Sequence, residues 1–441
     1  MSYSSPTTGE HIVVPAAHER PVRFPIARPL RLPAFRYFML AMTFFTAAMQ
    51  IQTIGQGWLV FHLTGSSLAL GFVTSMWSVA LLVFSPIGGV IADRVDRRRV
   101  LMVTWGLMGA VFCIVTFLML SNHLEVWHLA AASAVNGVLF AMNIPARSAL
   151  ISQLVPDAAL ASAMALTSLT FNLNGIIFPL IGGGMIDWIG ATGAYFLMTL
   201  FYFMAVAGIC FMPAQPLAVR NNRTSAFQDF IEGTRVVRRH RGLLWLMMVA
   251  LLAIIVSQPY QVLLPAFAAE TLRVPASGLG LLLALVGVGA FFGNLIIANL
   301  NERADLVRWM LVLGIISGIS LVSLAMVTSL IPTLIVLLLL GATGMPFFTL
   351  NITLVQRMAP EEARGRVLSI YMLTWGAMPI GSMVASMLSD SVGMALPLAI
   401  GGVGMIAITV VAAFLRPTET RVEVIPFQAS KAMKPPRNQA A

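Results

Sequence analysis

The chain has 441 residues, of which 58% are apolar and 10% charged, and its mean hydropathy is +0.88. A water-soluble fold of this length needs far more charge to cover its surface, so the composition excludes a soluble multidomain protein and indicates a polytopic membrane protein. The net charge of +10 would suit a nucleic-acid binder, but the basic residues line one side of the predicted membrane layout, which argues against nucleic acid as a partner.

Residues 1–34 carry Arg, His and Pro but no apolar stretch like that of a cleavable signal, and they read as a flexible cytoplasmic tail. Twelve apolar stretches follow, at 36–61, 67–92, 100–120, 127–151, 158–187, 192–212, 243–268, 277–299, 308–328, 331–356, 364–390 and 393–415. Each can cross a bilayer core of about 30 Å as a helix. Helix rather than strand follows from the unbroken apolar runs and from the need to satisfy every backbone group inside lipid. The predicted fold is all-α, with a six-helix bundle in 35–212 and a second in 243–415. Between them, 213–242 forms a cytoplasmic linker. Within it "FQDFIEGTRVVRRHR", 227–241, sets Phe227, Phe230, Ile231, Thr234 and Val237 at helical spacing opposite basic residues, the pattern of an amphipathic helix at the membrane interface. Residues 416–441 read as a disordered cytoplasmic tail. All but Arg273 of the 27 Lys and Arg fall on one side of this layout, which puts both termini in the cytoplasm and the chain in the inner (plasma) membrane. Cys113 and Cys210 lie inside apolar helices, as core packing would place them, and imply neither a disulfide nor a metal site.

The halves are related by an internal repeat. "QLVPDAALASAMAL", 153–166, aligns with "RMAPEEARGRVLSI", 357–370, and the same offset superposes Gly89 on Gly293. Two such bundles facing a midplane cavity can rock between two access states.

The densest charge in the chain is "GGVIADRVDRRRVL", 88–101, between the second and third helices. It resembles the loop signature of the major facilitator superfamily at Gly89, Ile91, Asp93, Arg94, Arg97 and Arg98, with Asp96 in place of the usual turn Gly. Further along, "WLVFHLTGSSLALGFV", "NIPARSALISQLVP" and "LNITLVQRMAPEEARGRVLSIYMLTWGAMPIGS" resemble the branch that exports siderophores and drugs. "NGIIFPLIGG", 174–183, resembles the antiporter signature at Pro179, Gly182 and Gly183, while Phe178 and Asn174 replace its other glycines. The resemblance implies a secondary transporter that works by alternating access, exports a small amphiphilic molecule in exchange for protons, acts as a monomer and needs no cofactor. A nutrient importer of the same fold is the rival within the class, and a membrane sensor or scaffold is the rival outside it. The resemblance also implies that Asp93 and Arg97 hold a cytoplasmic gate, with Arg364, Gly365 and Arg366 at the start of the eleventh helix as the facing partner.

Polar side chains inside membrane spans are rare and usually functional. Gln50, Gln52 and Gln56 in the first helix, Asn136 in the fourth, Asn172 and Asn174 in the fifth, Gln258 and Gln261 in the seventh, and Tyr371 and Trp375 in the eleventh are the candidate cavity residues. Such an uncharged, amide-rich and aromatic lining suits an amphiphilic or aromatic compound. No catalytic cluster or nucleotide-binding glycine loop occurs in the sequence, so it reads as neither an enzyme nor an ATP-driven pump. Asp187 and Asp390 lie near the outer surface, where a proton relay is conceivable and capping of a helix is the ordinary role.

Overall fold

The computed structural model describes residues 25–212, 226–300 and 304–418, so the tail over 1–24, the linker over 213–225 and the tail over 419–441 lie outside the described residues. The described chain is built of helices, without a strand, and twelve of its helical segments are long and apolar enough to cross a membrane. The first half contributes six spans: α1 (Pro33–Thr64), α2 (Ser67–Arg94), α3 (Arg97–Leu120), α4 (Val126–Leu154), α5 (Asp157–Ile189) and α6 (Ala191–Cys210). A shorter helix, α7 (Ala226–Arg239), leads into the second half. There α8 (Arg241–Ser257) and α9 (Pro259–Ala266) form one span, followed by α10 (Ala276–Ala298), α11 (Leu306–Met326) and α12 (Leu330–Met358). One span is then shared by α13 (Arg364–Thr374) and α14 (Met378–Val392), and α15 (Ala395–Phe414) completes the set. With an even number of spans, the start of α1 and the end of α15 lie on one side, the termini face. The opposite side is the far face.

Two stretches that read as single apolar helices are interrupted. The seventh span breaks at Gln258 before Pro259 and ends in a π-helical turn over Phe267–Thr271. The eleventh passes through a 3-10 turn at Trp375–Ala377 before Pro379. In both, proline starts the second segment, where its missing N–H costs least.

Proline also explains how the helices pack. Each proline inside a helix, or at the break within a span, leaves the carbonyl four residues earlier without its usual donor, and in four cases a glycine from a neighbouring helix lies against that carbonyl. Pro145 frees Ala141, which Gly88 of α2 meets, and Pro346 frees Ala342, which Gly293 of α10 meets. Pro179 frees Gly175, which Gly287 of α10 meets, and Pro259 frees Ile255, which Gly381 of α14 meets. A Cβ at any of these glycines would press on backbone oxygen, so only glycine allows the approach that re-covers the freed carbonyl. The α2–α4 and α10–α12 pairs use the device in both halves. They share a second contact as well, with Gly137 against the carbonyl of Trp77 and Gly341 against that of Val286.

The core of the first half is aromatic. Phe45 stacks on Trp105 with centroids 4.7 Å apart, and Phe112 stacks on Tyr202 at 5.8 Å, contacts worth about 1 kcal/mol each beyond their buried area. The cysteines depart from expectation: Cys113 and Cys210 are exposed on the helix surface rather than packed in the core. Lipid accepts the same apolar side chains as a core does, so hydrophobicity alone could not separate the two positions.

Candidate functional site: the cleft between the halves

The halves are fastened at the far face by two carboxylates that cap helices of the opposite half. Asp187, in the last turn of α5, accepts from the backbone N–H groups of Ala276 (2.9 Å) and Ser277 (2.9 Å) at the start of α10. That helix has Pro275 at its N-cap, which offers no side-chain acceptor of its own. Asp390, in the last turn of α14, accepts from the N–H groups of Ser67 (2.7 Å) and Leu68 (3.0 Å) and from the Ser66 hydroxyl at the start of α2. The two caps occupy matching places in the repeat, and each sets a negative charge on the positive end of a helix dipole. Below Asp390 the α2–α14 seam consists of small residues, with Ser389 donating to Ser67 at 3.1 Å and Gly71 set against Ser386. Six hydrogen bonds join the two halves at this face.

One face of α5 shows how far the closure extends. Pro179 and Gly183 on that face pack against Gly280 and Ala276 of α10, and the carbonyl of Gly175 would lie 3.0 Å from a Cβ on Gly287. Continued toward the termini face at helical spacing, the same face presents Asn172, Ser168, Ala165 and Ala161. Asn172 is half-buried and the other three are exposed. The halves are thus packed from the far face to about mid-depth and leave α5 bare beyond it. α1 and α9 repeat the arrangement: Gly57 lies against the ring of Pro265, and one turn nearer the termini face come exposed Thr53 and half-buried Gln261. Gln50, two turns from Gly57, sets its amide against Gly175. Trp375, half-buried and 5.3 Å from Phe348, sits beside Gly376, which meets Leu82 of α2. By helical spacing, Gln50, Thr53, Asn172 and Gln261 stand where the closure ends, and Trp375 stands beside the α2 contact of Gly376.

The remaining candidate cavity residues lie within one half or the other. Gln52 accepts from the Tyr202 hydroxyl (2.9 Å) and the Asn136 amide (3.2 Å), and Gln56 donates to Ser133 (2.6 Å), so these residues knit α1, α4 and α6 inside the first half. Asn174 is buried and donates to the carbonyl of Thr43 and the hydroxyl of Thr46. Gln258 is buried at the α8–α9 break, where its oxygen accepts from Gln261 at 2.7 Å. Tyr371 is buried in the second half, its hydroxyl without a hydrogen-bond partner. Polarity placed all ten inside the membrane region, but only helix rotation separates the four that reach the cleft. Thr53, a polar residue of the first span, lies there too, and so does Ser168, whose signal was its spacing from Gly175 rather than its chemistry.

At the termini face Arg97 and Arg98 bind carbonyls of their own half. Asp96 caps α3 by accepting from the N–H of Arg98 at 3.0 Å. Arg97 donates to the carbonyl of Ala149 on α4 at 3.4 Å, and Arg98 donates to those of Ile209 (3.1 Å) and Cys210 (2.8 Å) at the end of α6. The last carbonyls of a helix carry its negative end, so cations suit them. Gly89, Asp93 and Arg94 belong to α2, but their surroundings, and with them the expected latch at Asp93, lie outside the described residues. Arg364 and Gly365 are exposed, and Arg366 pairs with Glu232 of α7 at 3.1 Å. Pro179, Gly182 and Gly183, matched to the antiporter signature, lie on α5 at the far-face seam, Gly182 against Ile54 of α1. Asp305 caps α11 and forms a two-bond pair with Arg416, at 2.8 and 3.0 Å. Burial pushes this carboxyl up, but the Arg416 guanidinium and the N–H groups of Arg308 and Val307 outweigh it and hold it below its ordinary value.

Two six-helix halves, fastened at one face and parted toward the other around a polar cleft, define a membrane transporter of the major facilitator superfamily rather than an enzyme. Within that superfamily the chain belongs to the transmembrane secretion effector family, whose profile matches residues 25–440. It is 23% identical over 387 residues to the staphyloferrin A transporter of Staphylococcus aureus, covering 86% of this chain and 96% of that one. The multidrug efflux pump Tap of Mycolicibacterium fortuitum is 27% identical over 81% of this chain and 90% of its own. The enterobactin exporter EntS of Escherichia coli is 26% identical over 84% of this chain and 85% of its own. In fold the chain is similar to the crystal structure of the nucleoside transporter NupG, with TM-score 0.72 at 11% identity over 87% of this chain and 100% of that one. It is also similar to a bacterial homologue of the lysosomal transporter Spinster, inward-facing and unoccupied, with TM-score 0.65 at 15% identity over 88% of this chain and 95% of that one.

Proposed function

We propose that this multi-pass membrane transporter exports a small amphiphilic molecule by alternating access, in exchange for protons, and that both termini are cytoplasmic. The observation that carries the reading is the face of α5 that packs on α10 through Pro179 and Gly183 and is bare at Ser168, Ala165 and Ala161. A cleft closed outside and open inside is the state in which an exporter loads its cargo. Gln50, Asn172, Gln261 and Trp375 contact that cargo at its blind end, with amides for polar groups and an indole for an apolar or aromatic body. The names of the relatives, which transport a siderophore or expel drugs, support that cargo class. The excess of arginine at the termini face supports a cytoplasmic location for that face and insertion in the plasma membrane, and since both walls of the cleft come from one chain, a monomer suffices.

Asp187 and Asp390 are gate groups in this reading. Each holds the closed far face by accepting N–H bonds from the start of a helix in the opposite half. Gly89, Asp93 and Arg94, with Arg97, Arg98 and Arg364 to Arg366, make the corresponding gate at the termini face in the other state.

Everted membrane vesicles provide the test. With an acidic interior they accumulate an amphiphilic fluorescent dye only when the protein is present, and dissipating the pH gradient abolishes accumulation. Uptake indifferent to the gradient sinks proton exchange, and uptake confined to right-side-out vesicles makes the protein an importer.

A further inference from the structure

The basic face of α7 serves neither the cleft nor the far-face seam. One side of the helix packs on the protein: Val237 is 5% exposed within the buried cluster of Leu243, Val367 and Tyr371. A Cβ on Gly233 would come within 2.9 Å of the Ile370 side chain and 3.1 Å of the Arg366 carbonyl. The side of α7 that carries Gly233 and Val237 therefore rests on α13, and outward the helix offers charge together with Ile231. Arg235 and Arg239 are exposed on the side opposite Val237, Arg238 is exposed on the flank between them and Val237, and His240 and Arg241 follow, also exposed. None of these four arginines has a hydrogen bond or ion pair among the described residues. The nearby acid Glu232 is engaged by Arg366.

The position of this charge identifies what neutralises it. Arg241 is the first residue of a membrane span, so the arginines just before it stand at headgroup depth. Ile231, 42% exposed, lies on the same side and offers apolar contact below the headgroups. The planar guanidinium fork matches a phosphate oxygen pair, and packing on α13 already holds the helix in place, so little further ordering is needed to bind.

We propose that Arg235, Arg238, Arg239 and Arg241 bind the headgroups of anionic phospholipids in the leaflet at the termini face. The lipid contact bears on gating, because α7 is clamped to α13 through Glu232 and Arg366, and the span that begins at Arg364 carries Asp390 at its other end.

The test is native mass spectrometry of the purified full-length protein with phosphatidylglycerol and phosphatidylcholine supplied in equal amounts. The protein retains phosphatidylglycerol selectively. The combined Arg235→Gln, Arg238→Gln and Arg239→Gln variant binds it about 100-fold more weakly, at about one lipid-charge interaction lost per arginine. Its melting temperature stays unchanged, because these exposed side chains make no hydrogen bond or ion pair among the described residues. Arg308→Gln, which removes an exposed arginine elsewhere on the termini face, leaves lipid binding intact. Wild-type affinity in the triple variant overturns the proposal, as does an equal loss in Arg308→Gln, which would mean diffuse charge rather than a site. Displacement of phosphatidylglycerol by a short oligonucleotide at lower concentration than by anionic vesicles overturns it in favour of nucleic acid.

Discussion

At the far face the two halves meet through carboxylates on the ends of each other's helices, Asp187 on α10 and Asp390 on α2, backed by glycines against backbone. At the termini face the described arginines Arg97 and Arg98 turn inward to carbonyls of their own half, and the pair Glu232–Arg366 ties the linking helix to α13 of the second half. A seam between bodies that must separate benefits from contacts that are directional, few and made without burying long side chains. Backbone N–H groups at a helix start meet that need, since they are satisfied by a carboxylate in one state and by water in the other. Contacts made within one half have no such requirement, and the longer, charged side chains of Arg97, Arg98 and Arg366 make them in this state.

The glycines provide the sharpest way to break the comparison. Gly293→Leu forces apart α10 and α12 inside one half and abolishes recovery of monodisperse protein, measured by size-exclusion chromatography. Gly183→Leu, at the seam between halves, leaves the protein folded but unable to close the far face. A cysteine placed at Thr53 in that background reacts with a membrane-impermeant maleimide from the far side. Equal loss of folded protein in both variants would erase the distinction between packing within and between halves.

A smaller effect follows from the caps. Asp187→Ala with Asp390→Ala removes about 1 kcal/mol at each helix start and shifts the balance about 30-fold toward the state open at the far face. The same labelled cysteine reports it, and Asp187→Asn with Asp390→Asn, which keeps an acceptor oxygen without the charge, falls between. Inside the first half, Gln52→Leu strands the Tyr202 hydroxyl and the Asn136 amide, and costs about 1–2 kcal/mol of stability in a thermal melt. Gln261→Leu costs less stability and shifts cargo preference more, and a reversal of that order would move the binding surface into the first half.

The smallest effect concerns Asp305. Its carboxyl sits below the ordinary value, so the pair with Arg416 contributes stability above the unfolded pKa of about 4, and that contribution is lost as pH falls through the lowered folded pKa. Because both groups are partly exposed, Asp305→Asn lowers the melting temperature at neutral pH by less than about 1 kcal/mol equivalent, and the difference from wild type vanishes in strong acid.

Much of this architecture is legible in the residue order. Apolar run length marks the twelve spans, the alignment of 153–166 with 357–370 marks the repeat, and the 88–101 motif marks the superfamily. The cleft is less legible because an amide in a span reads the same whether it faces a neighbour or a cavity. Gln52 and Gln50 differ by two positions, and one is tied to Tyr202 while the other stands against Gly175 where the halves meet. Asp187 and Asp390 were visible as carboxylates near a surface, and helix capping was visible as a role. That each caps a helix of the other half depends on how two bodies dock, and no local pattern encodes a partner about ninety or three hundred residues away.

By itself, the sequence determined that the chain crosses a membrane twelve times, that it is built from a repeated half, and which superfamily it belongs to, because hydrophobic run length, repetition and a loop motif act over short distances along the chain. Only the tertiary structure decided which polar residues reach the cleft, which face is shut, and that the Gly233 and Val237 side of α7 rests on α13 and leaves its arginines facing outward. Those outcomes depend on helix rotation and on docking between halves, where a turn of 100° per residue separates a cavity-facing side chain from one buried in its own bundle.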